Sequence, residues 1–385
     1  MTILDDGISK EDRAKIHQLR TIVKDDLSEY YGTDFNLLRW LQGHNTLTVE
    51  EIARKLSHHL SLRAAWNLDE LHKKERNHPI HKHWKYGITG PAVLIDNVIV
   101  NIEQCGKTDY TGMMESFSIL EVMRARLVDL EQMLARVMEL EKETGKQAWI
   151  LYVMDVTGLE YNKKLYNLVT GSMKSLADFM ADHYVEMIKY FVPVCVPSFA
   201  NALYVVVRPL LPEKTREKVR LISEANWRQN ILTFADSTSL PSIWNDEQHT
   251  FTGFVELPVT YPLENYYSAR NMTIRDGAKN INVVAGKCHI VTKFLKTGSK
   301  LKWWVRGNRN FGYGVFWSKE EIVEDYFTAK QVSPCFPWMP GPTLVPIEDA
   351  VVVPRDAYYH IWISNERSWW FTLEVQLSVE TSDAK

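Results

Sequence analysis

The chain has 385 residues, a length that allows about two or three domains with a buried core each. Its hydrophobic content of 45%, charged content of 24% and formal net charge of -3 predict an ordinary globular protein without a nucleic-acid partner, and exclude the disordered and membrane-embedded classes. The first residues place acids before any apolar run, and the 4 cysteines form no CxxC pair, so we expect a soluble, cytoplasmic protein with reduced thiols.

Two helices are predicted near the N-terminus, from the sequences DFNLLRWLQGHN and TVEEIARKLSHHLSLRAAW. The second begins with a capping box made by Thr48 and Glu51, and its apolar stripe includes Ile52 and Leu56. Residues 1–75 are therefore expected to form a helical region.

The middle of the chain, residues 76–250, predicts an α/β domain. Apolar residues recur at helical spacing from Ser116 to Glu143, and Gly145 supplies a stop signal. The apolar runs AWILYVMDV and YFVPVCV predict strands that are buried on both faces, with one helical stretch between them. Strand, helix and strand in this order predict a βαβ unit with parallel strands.

An uncharged run extends from Tyr190 to Val207 and has about the length of a membrane span. Pro193 and Pro197 argue against a span, because each removes a helical hydrogen bond and clashes with the preceding turn. We therefore predict a buried strand, a turn at Pro197, and a helix through FANALYVVV.

The last part of the chain, residues 255–385, predicts an all-β domain. Runs of β-branched and aromatic residues, such as INVVAGKCHIVTKFL and DAVVVPRDAYYHIWIS, alternate with Gly, Asn and Pro. Short strands separated by such turn signals predict an antiparallel sandwich.

Two tryptophan pairs fall within the predicted strands of this domain: Trp303 with Trp304, and Trp369 with Trp370. Because side chains alternate between the faces of a strand, one tryptophan of each pair is expected in the core and the other at the surface. Exposed rings beside cations would contact a membrane interface or a protein partner. The neighbouring cations are Lys302, Arg306 and Arg367. The alternative is that the stacked rings fill a shallow sandwich core.

The sequence DHYVEMIKYFVPVCVPSFANALYVVVRPLLPEKTREKV, with DFNLLRWLQGHN ahead of it, resembles the signature of the CRAL-TRIO lipid-transfer family. The C-terminal third, which ends in WISNERSWWFTLEVQL, resembles the GOLD sandwich. The combination is similar to the tocopherol-associated or supernatant protein factor group. It implies a helical lead-in, an α/β CRAL-TRIO lipid-binding domain and an all-β, jelly-roll-like GOLD domain.

This resemblance implies that the chain binds a single lipid in an enclosed hydrophobic pocket and transfers or presents it between membranes. Each buried methylene contributes roughly 0.8 kcal/mol, so only an apolar cavity can hold a lipid in water. The gate over the cavity is expected to be a helix from Phe199 that continues through RPLLPEKTREKV. The pocket and gate residues implied are Ile150, Tyr152, Met180, Phe199, Leu203, Val206 and Leu210.

The headgroup site carried over from phosphatidylinositol-binding relatives consists of Arg63, Glu186, Thr215 and Lys218. A cation and a hydroxyl suit a phosphate, and a carboxylate suits sugar hydroxyls or orients the cations. The alternative is that the charged residues form ordinary surface ion pairs and that the threonine belongs to a helix start.

Two alternatives to a phosphatidylinositol-class ligand remain: a neutral hydrophobic ligand, and a scaffold that binds no lipid. Relatives that carry phosphatidylcholine have hydroxyl residues where this chain has Ile150, Tyr152 and Met180, so a less polar ligand such as tocopherol or squalene is an alternative, sensed and signalled through the GOLD domain. Trp244 and Asn245 stand where relatives have a Gly-Gly pair, and the turn after the YG-x-x-G segment is shorter here than in relatives. If Trp244 and the shortened turn seal the gate, the protein is a scaffold with a collapsed pocket.

No catalytic motif is recognised in the sequence, so we expect neither an enzyme nor a cofactor. The cluster of His78, His81 and His83 lacks acidic or cysteine partners at metal-binding spacing and is interpreted as a solvated loop rather than a metal site. The expected partners are a phospholipid or other hydrophobic small molecule, a transient membrane surface and a protein bound by the GOLD domain. Cytoplasmic location with peripheral membrane association, including the Golgi, follows from the resemblance.

Overall fold

The computed structural model describes residues 6–160, 162–210, 213–270 and 275–383. The elements follow the predicted order of helices, α/β domain and all-β domain. The α-helices are α1 (Lys10–Ile22), α2 (Asp34–Gly43), α3 (Val49–Trp66), α4 (Tyr110–Ser116), α5 (Ile119–Thr144), α6 (Lys163–Thr170), α7 (Ser172–His183), α8 (Ser198–Val207), α9 (Glu213–Lys218) and α10 (Trp227–Ile231). The strands are β1 (Tyr86–Pro91), β2 (Val98–Glu103), β3 (Trp149–Asp155), β4 (Ile188–Val194), β5 (Lys279–Val283), β6 (Cys288–Leu295), β7 (Lys300–Gly307), β8 (Phe311–Ser318), β9 (Lys330–Met339), β10 (Ile347–Val352), β11 (Ala357–Ser364) and β12 (Leu373–Ser382).

The N-terminal helices begin at side-chain caps, and α1 precedes the two helices that the sequence predicts. The capping box of α3 is confirmed: the Thr48 N–H donates to Glu51 Oε2 at 2.8 Å, and the Glu51 N–H donates to Thr48 Oγ1 at 3.3 Å. The predicted apolar stripe of α3 is buried at Ile52 and Leu56 and packs into one core with α1, α2 and α5.

The central sheet has the strand order β1-β2-β3-β4. β1 and β2 form an antiparallel hairpin, whereas β2, β3 and β4 run parallel, as the βαβ pattern predicts. α5 ends at Gly145, whose φ of 69° gives it the left-handed conformation of a C-terminal cap. The predicted single helical stretch between β3 and β4 is two helices, α6 and α7, because the ψ of -105° at Gly171 is not helical.

The uncharged run forms strand β4 and helix α8, as predicted. In β4 only Val192 and Val194 are fully buried, because this strand ends the sheet order with only the short segment 219–223 beside it. The predicted continuous gate helix is interrupted, since α8 ends before Pro209, which has no N–H to continue it, and α9 follows separately. Within the described residues, none of the helices combines the length and the apolarity of a membrane span.

The all-β part is a sandwich of two antiparallel sheets, with strand orders β10-β7-β12-β5 and β6-β11-β8-β9. The expected alternation of its tryptophans is wrong for both pairs. Trp303 and Trp304 are 1% and 4% exposed, so both faces of β7 are covered. Trp369 and Trp370 are 86% and 87% exposed, because β12 begins only at Leu373 and both rings lie in the preceding loop.

The sandwich packs through β9 on a helix of the N-terminal region, α3, and on a helix of the α/β part, α7. The Gln331 N–H donates to Ser61 Oγ at 3.1 Å, and its side-chain amide donates to the His58 carbonyl at 2.9 Å, which joins β9 to α3. On α7, Ser175 Oγ donates to the Trp338 carbonyl at 3.0 Å. These bonds satisfy polar groups that the contact removes from water, so they favour one relative orientation of the two parts.

A buried histidine pair lies close to this interface. His59 of α3 and His183 of α7 are buried, and their Nδ1 atoms are 3.0 Å apart, so one imidazole donates and the other accepts. Burial lowers the pKa of both rings well below the ordinary value, and the neighbouring cation Arg63 adds to the effect. Both histidines are therefore neutral in the folded protein.

We expect this pair to make stability depend on pH. The unfolded histidine takes up a proton near pH 6.5, whereas the folded one does not, so stability is complete above that pH and falls by up to about 1.4 kcal/mol per pH unit and per histidine below it. Urea unfolding of His59→Gln at about pH 5.5 and 7.5 should show a smaller pH dependence than the unsubstituted protein. His17→Gln, at an exposed position on α1, is the matched control. Equal pH dependence in all three proteins would contradict the assignment.

Candidate functional site

Glu186 and Lys218, two of the predicted headgroup residues, form an ion pair. The Lys218 Nζ donates to Glu186 Oε2 at 2.8 Å, and both side chains are mostly buried. The pairing follows from chain direction: Glu186 precedes β4, and Lys218 precedes the segment 219–223, which runs parallel to β4 with a bridge between Phe191 and Val219. A cation and a carboxylate therefore stand side by side where two parallel segments begin.

Arg63, the third charged residue of the predicted site, is bound elsewhere. Its guanidinium donates two bonds to the Glu131 carboxylate, at 2.9 and 3.0 Å, and a third to Asp69 at 2.7 Å. Tyr184 also donates its hydroxyl to Glu131, at 2.7 Å. In the described part of the chain, Arg63 makes no bond to Glu186 or Lys218; its bonds tie α3 to α5.

The structure describes the side chains of only some of the predicted gate residues. Phe199 is half-buried at the start of α8. Thr215 of the headgroup site also lies in the gate segment, on α9. The side chains that lie outside the described residues are those of Leu203, Val206, Leu210 and Thr215.

The three predicted pocket residues meet on one side of the central sheet. Ile150 and Tyr152 are buried on the face that is covered by α5 and α7, and Met180 packs against the same core from α7. The Tyr152 hydroxyl is not directed at an open space, because it donates to the buried Glu103 carboxylate. Of these three residues, none offers a ligand an uncommitted hydroxyl.

A buried polar cluster on this face was not predicted from the sequence. Its centre is Glu103, which accepts from Trp84 Nε1 and from the Tyr110 hydroxyl, at 2.6 Å each, and faces Arg126 Nη2 at 3.4 Å. Burial raises the pKa of the Tyr152 hydroxyl well above its usual value, so it stays a donor to Glu103. The sequence did contain a signal, because Arg126 falls on the apolar face of the α5 pattern and Glu103 ends an apolar strand.

Asn101 adds an unpaired group to this cluster. It lies in β2 opposite Tyr152 of β3, it is completely buried, and neither its amide nitrogen nor its oxygen has a hydrogen-bond partner among the described residues. Burying such a group without partners costs about 1–3 kcal/mol. The face of the sheet that carries the predicted pocket residues thus has both an apolar surface and an unsatisfied polar side chain.

Trp244, the residue considered as a seal, lies on the other side of the sheet. Its ring packs with Trp227 and Phe251 in the second core, which covers Leu151 and Val153. Its Nε1 donates to Asp155 at 2.7 Å, which fixes the ring there. Trp244 therefore does not fill the face that carries Ile150 and Tyr152.

The histidine cluster is not the solvated loop that the sequence suggested. Residues Pro79–Lys82 form a 3-10 helix, His81 is buried against the Ala125 carbonyl at 3.0 Å, and the His83 ring stacks on Tyr261. Within the described residues, no group of three His, Cys, Asp or Glu side chains is placed to hold a metal ion.

Comparison with protein families matches three segments of the chain. Residues 96–245 match the CRAL/TRIO domain, so the chain contains a domain of that type. Residues 270–385 match the C-terminal domain of F28H7.8-like proteins, and residues 8–71 match a domain of unknown function, DUF8435.

Two curated relatives from Caenorhabditis elegans align along most of the chain. The CRAL-TRIO domain-containing protein F28H7.8 is 25% identical over 372 residues, which are 92% of this chain and 87% of the relative. Protein ctg-1 is 21% identical over 386 residues, covering 96% of each chain.

Two solved structures are similar at lower sequence identity. The crystal structure of Sfh5 has a TM-score of 0.42 and 15% identity, and covers 59% of this chain and 83% of its own. The periplasmic lysozyme inhibitor PliG of Aeromonas hydrophila has a TM-score of 0.19 and 15% identity over 28% of this chain and 93% of its own. Both scores are too low to establish a shared overall arrangement.

The ion pairs of Arg63 allow a structural role to be separated from a headgroup role. Arg63→Met should lower the free energy of unfolding by about 3–5 kcal/mol, because it leaves the buried Glu131 carboxylate without its cation. Urea unfolding measures this loss, and Arg63→Met combined with Glu131→Leu should recover part of it.

The control is Arg54→Met at an exposed position of the same helix, for which we expect a change within about 0.5 kcal/mol. If Arg63→Met keeps full stability and loses only lipid binding, the guanidinium acts on a headgroup instead.

Proposed function

We propose that this protein is a lipid carrier that binds one lipid between the central sheet and helices α6 to α8 and transfers or presents it between membranes. The observation that carries the proposal is α8. This helix has no charged residue, yet Ala202 and Val205 are exposed, and it follows directly on β4 of the pocket sheet. Exposed apolar surface of this kind is typical of a site for an apolar ligand or a bilayer. The CRAL/TRIO match over residues 96–245 supports the same function.

For the ligand, we propose a phosphatidylinositol-class lipid whose headgroup binds at Glu186 and Lys218. The Lys218 ammonium supplies a cation for the phosphate, and Glu186 accepts from sugar hydroxyls. The left-handed φ of 53° at Glu186, which is uncommon for a residue other than glycine, supports a functional position. Thr215 would add a hydroxyl from α9. Arg63 would not contact the headgroup directly. It would position Glu186 through Glu131 and Tyr184, because Tyr184 lies two residues before Glu186.

A neutral lipid is the second candidate ligand, and one observation favours it. The Tyr152 hydroxyl already donates to Glu103, and the side chains of Ile150 and Met180 have no hydroxyl. This face of the sheet therefore offers few free hydrogen-bond donors to a polar headgroup such as phosphocholine. A ligand such as a tocopherol or an isoprenoid, with one hydroxyl or none, would suit this face. The unpaired Asn101 side chain would match a single hydroxyl.

The C-terminal sandwich is proposed to be GOLD-like and to act as a non-catalytic interaction module. Its two antiparallel four-stranded sheets support a GOLD-like architecture. The buried Cys335 also suits a structural role, because burial raises the pKa of its thiol and keeps it protonated.

Native mass spectrometry of the purified protein, followed by extraction of bound lipids, tests the carrier function. We expect one lipid per chain, because a single apolar pocket excludes a second. Phosphatidylinositol would support the first ligand and an isoprenoid the second. A protein that contains no lipid and takes up none from mixed liposomes would contradict the carrier function itself.

The headgroup assignment predicts a loss of exchange on substitution. Lys218→Ala should reduce the transfer of fluorescent phosphatidylinositol between vesicles by about tenfold or more, since a charge-assisted bond to phosphate contributes about 1.5–3 kcal/mol. Lys218→Arg should keep most of the activity, and Lys142→Ala, at an exposed position of α5, should keep all of it. Full transfer by Lys218→Ala would reject the site.

A further inference from the structure

Strand register brings four loops of the sandwich to one end. Ser364, at the end of β11, pairs with Gly312 of β8 and with Cys288 of β6. Phe311 pairs with Met339, and Gly307 pairs with Val375. The loops 284–287, 308–310, 340–346 and 365–372 therefore lie together, and we call them the aromatic loop end.

The aromatic loop end exposes large apolar side chains. Trp369 and Trp370 are the most exposed of them, and Phe371, Val284 and Leu344 are each about half exposed or more. An exposed apolar group of this size on one end of a domain indicates an interaction site.

The tryptophan loop is held in one conformation by hydrogen bonds. The Asn365 side chain donates to the carbonyls of Val283 and Phe371, at 2.9 and 2.8 Å. Ser368 Oγ donates to the Phe371 carbonyl at 3.0 Å and accepts from the Phe371 N–H at 3.3 Å. The two indoles are thus presented to solvent by an ordered turn, which lowers the entropic cost of ordering the loop backbone when a partner binds.

The charge of this end complements an anionic surface. Its loops carry the cations Lys287, Arg309 and Arg367 against the single carboxylate Glu366. Arg309 also lies over the Phe371 ring, 4.6 Å from its centre. The loops at the opposite end, 296–299, 319–329 and 353–356, have the reverse balance of five carboxylates to three cations.

The same end lies beside the proposed lipid site. A groove lined by Phe371, Arg367 and Trp338 continues, through Trp338 and Gly341, into a groove lined by Lys164 and Leu168 of α6. Helix α6 in turn contacts α8. A surface that binds at the aromatic loop end therefore lies on the side where the groove along α6 opens, and α6 is a helix that contacts α8.

We propose that the aromatic loop end docks on an anionic phospholipid bilayer, with Trp369 and Trp370 entering the interface and the three cations facing the headgroups. Tryptophan is enriched at membrane interfaces because its ring is apolar and its N–H is polar, and each nearby cation adds attraction to anionic lipid. The inference rests on the proposed carrier function, since docking would bring the gate to the membrane, but docking is measured separately from lipid content.

Flotation with vesicles tests the docking surface. The full chain should float with vesicles of phosphatidylcholine and phosphatidylserine, and less with phosphatidylcholine alone. Trp369→Ser with Trp370→Ser should weaken the binding about tenfold or more, because interfacial binding scales with buried apolar area. Arg309→Gln and Arg367→Gln should each weaken it about fivefold, in a salt-dependent way.

The matched control is Ile322→Ser. This side chain is 84% exposed, but it lies in the loop between β8 and β9, at the opposite end of the sandwich. It should leave flotation unchanged. Melting curves of all variants should match that of the unsubstituted protein, because the substituted side chains are at the surface.

The outcomes separate this proposal from the carrier function. Native mass spectrometry should find the same bound lipid in the tryptophan variant, which supports docking as a separate step. A full chain that contains lipid but does not float overturns the docking surface and leaves the carrier function intact. Equal flotation of the full chain and the tryptophan variant also overturns it. Equal binding of the full chain to both kinds of vesicle would also overturn the docking surface. The same holds if the full chain does not float but forms a dimer in light scattering that the tryptophan variant does not form.

Discussion

The docking of β9 on α3 and α7 is the contact on which the arrangement of the whole molecule depends. Hydrogen bonds from Gln331 to α3 and from Ser175 to β9 are combined there with a tilted ring contact between Phe179 and Phe336, whose ring centres are 5.6 Å apart. Apolar burial supplies the free energy of the contact and the directional bonds select its orientation. The position of the sandwich loops beside α6 follows from this orientation.

Buried charged side chains of this protein are paired with side chains of opposite charge. Three ion pairs join different elements of the helical and α/β parts, and all six side chains are buried: Arg63 with Glu131, Arg39 with Glu141, and Arg126 with Glu103. Such pairs contribute little net stability, but the loss of one partner is costly, so they act as constraints on packing. Glu186 and Lys218 differ because they retain partial exposure, which leaves their charges available to a ligand.

The apolar side chains also fall into two groups, one buried in the cores and one exposed to water. The two cores cover both faces of the central sheet, whereas α8 and the loop with Trp369 and Trp370 leave apolar groups in contact with water. Each exposed group costs free energy in the isolated protein and is stabilised when a lipid or a bilayer covers it. The proposed ligand site and the proposed docking surface therefore rest on the same physical argument, applied to two places in the molecule.

The sequence by itself determined the order of helical, α/β and all-β parts, the capping box at Thr48, the stop at Gly145 and the strand and helix of the uncharged run, because caps, breakers and periodicity act over a few residues. Only the tertiary structure decided which faces are covered. Alternation along β7 does not reveal that both its faces are buried, and spacing does not reveal that Arg63 pairs with Glu131, 68 residues later in the chain. The Glu186–Lys218 pair and the cluster at Glu103 likewise depend on parallel segments and helices that meet only after folding. Burial and ion pairing are properties of neighbours distant in sequence, and no local pattern contains them.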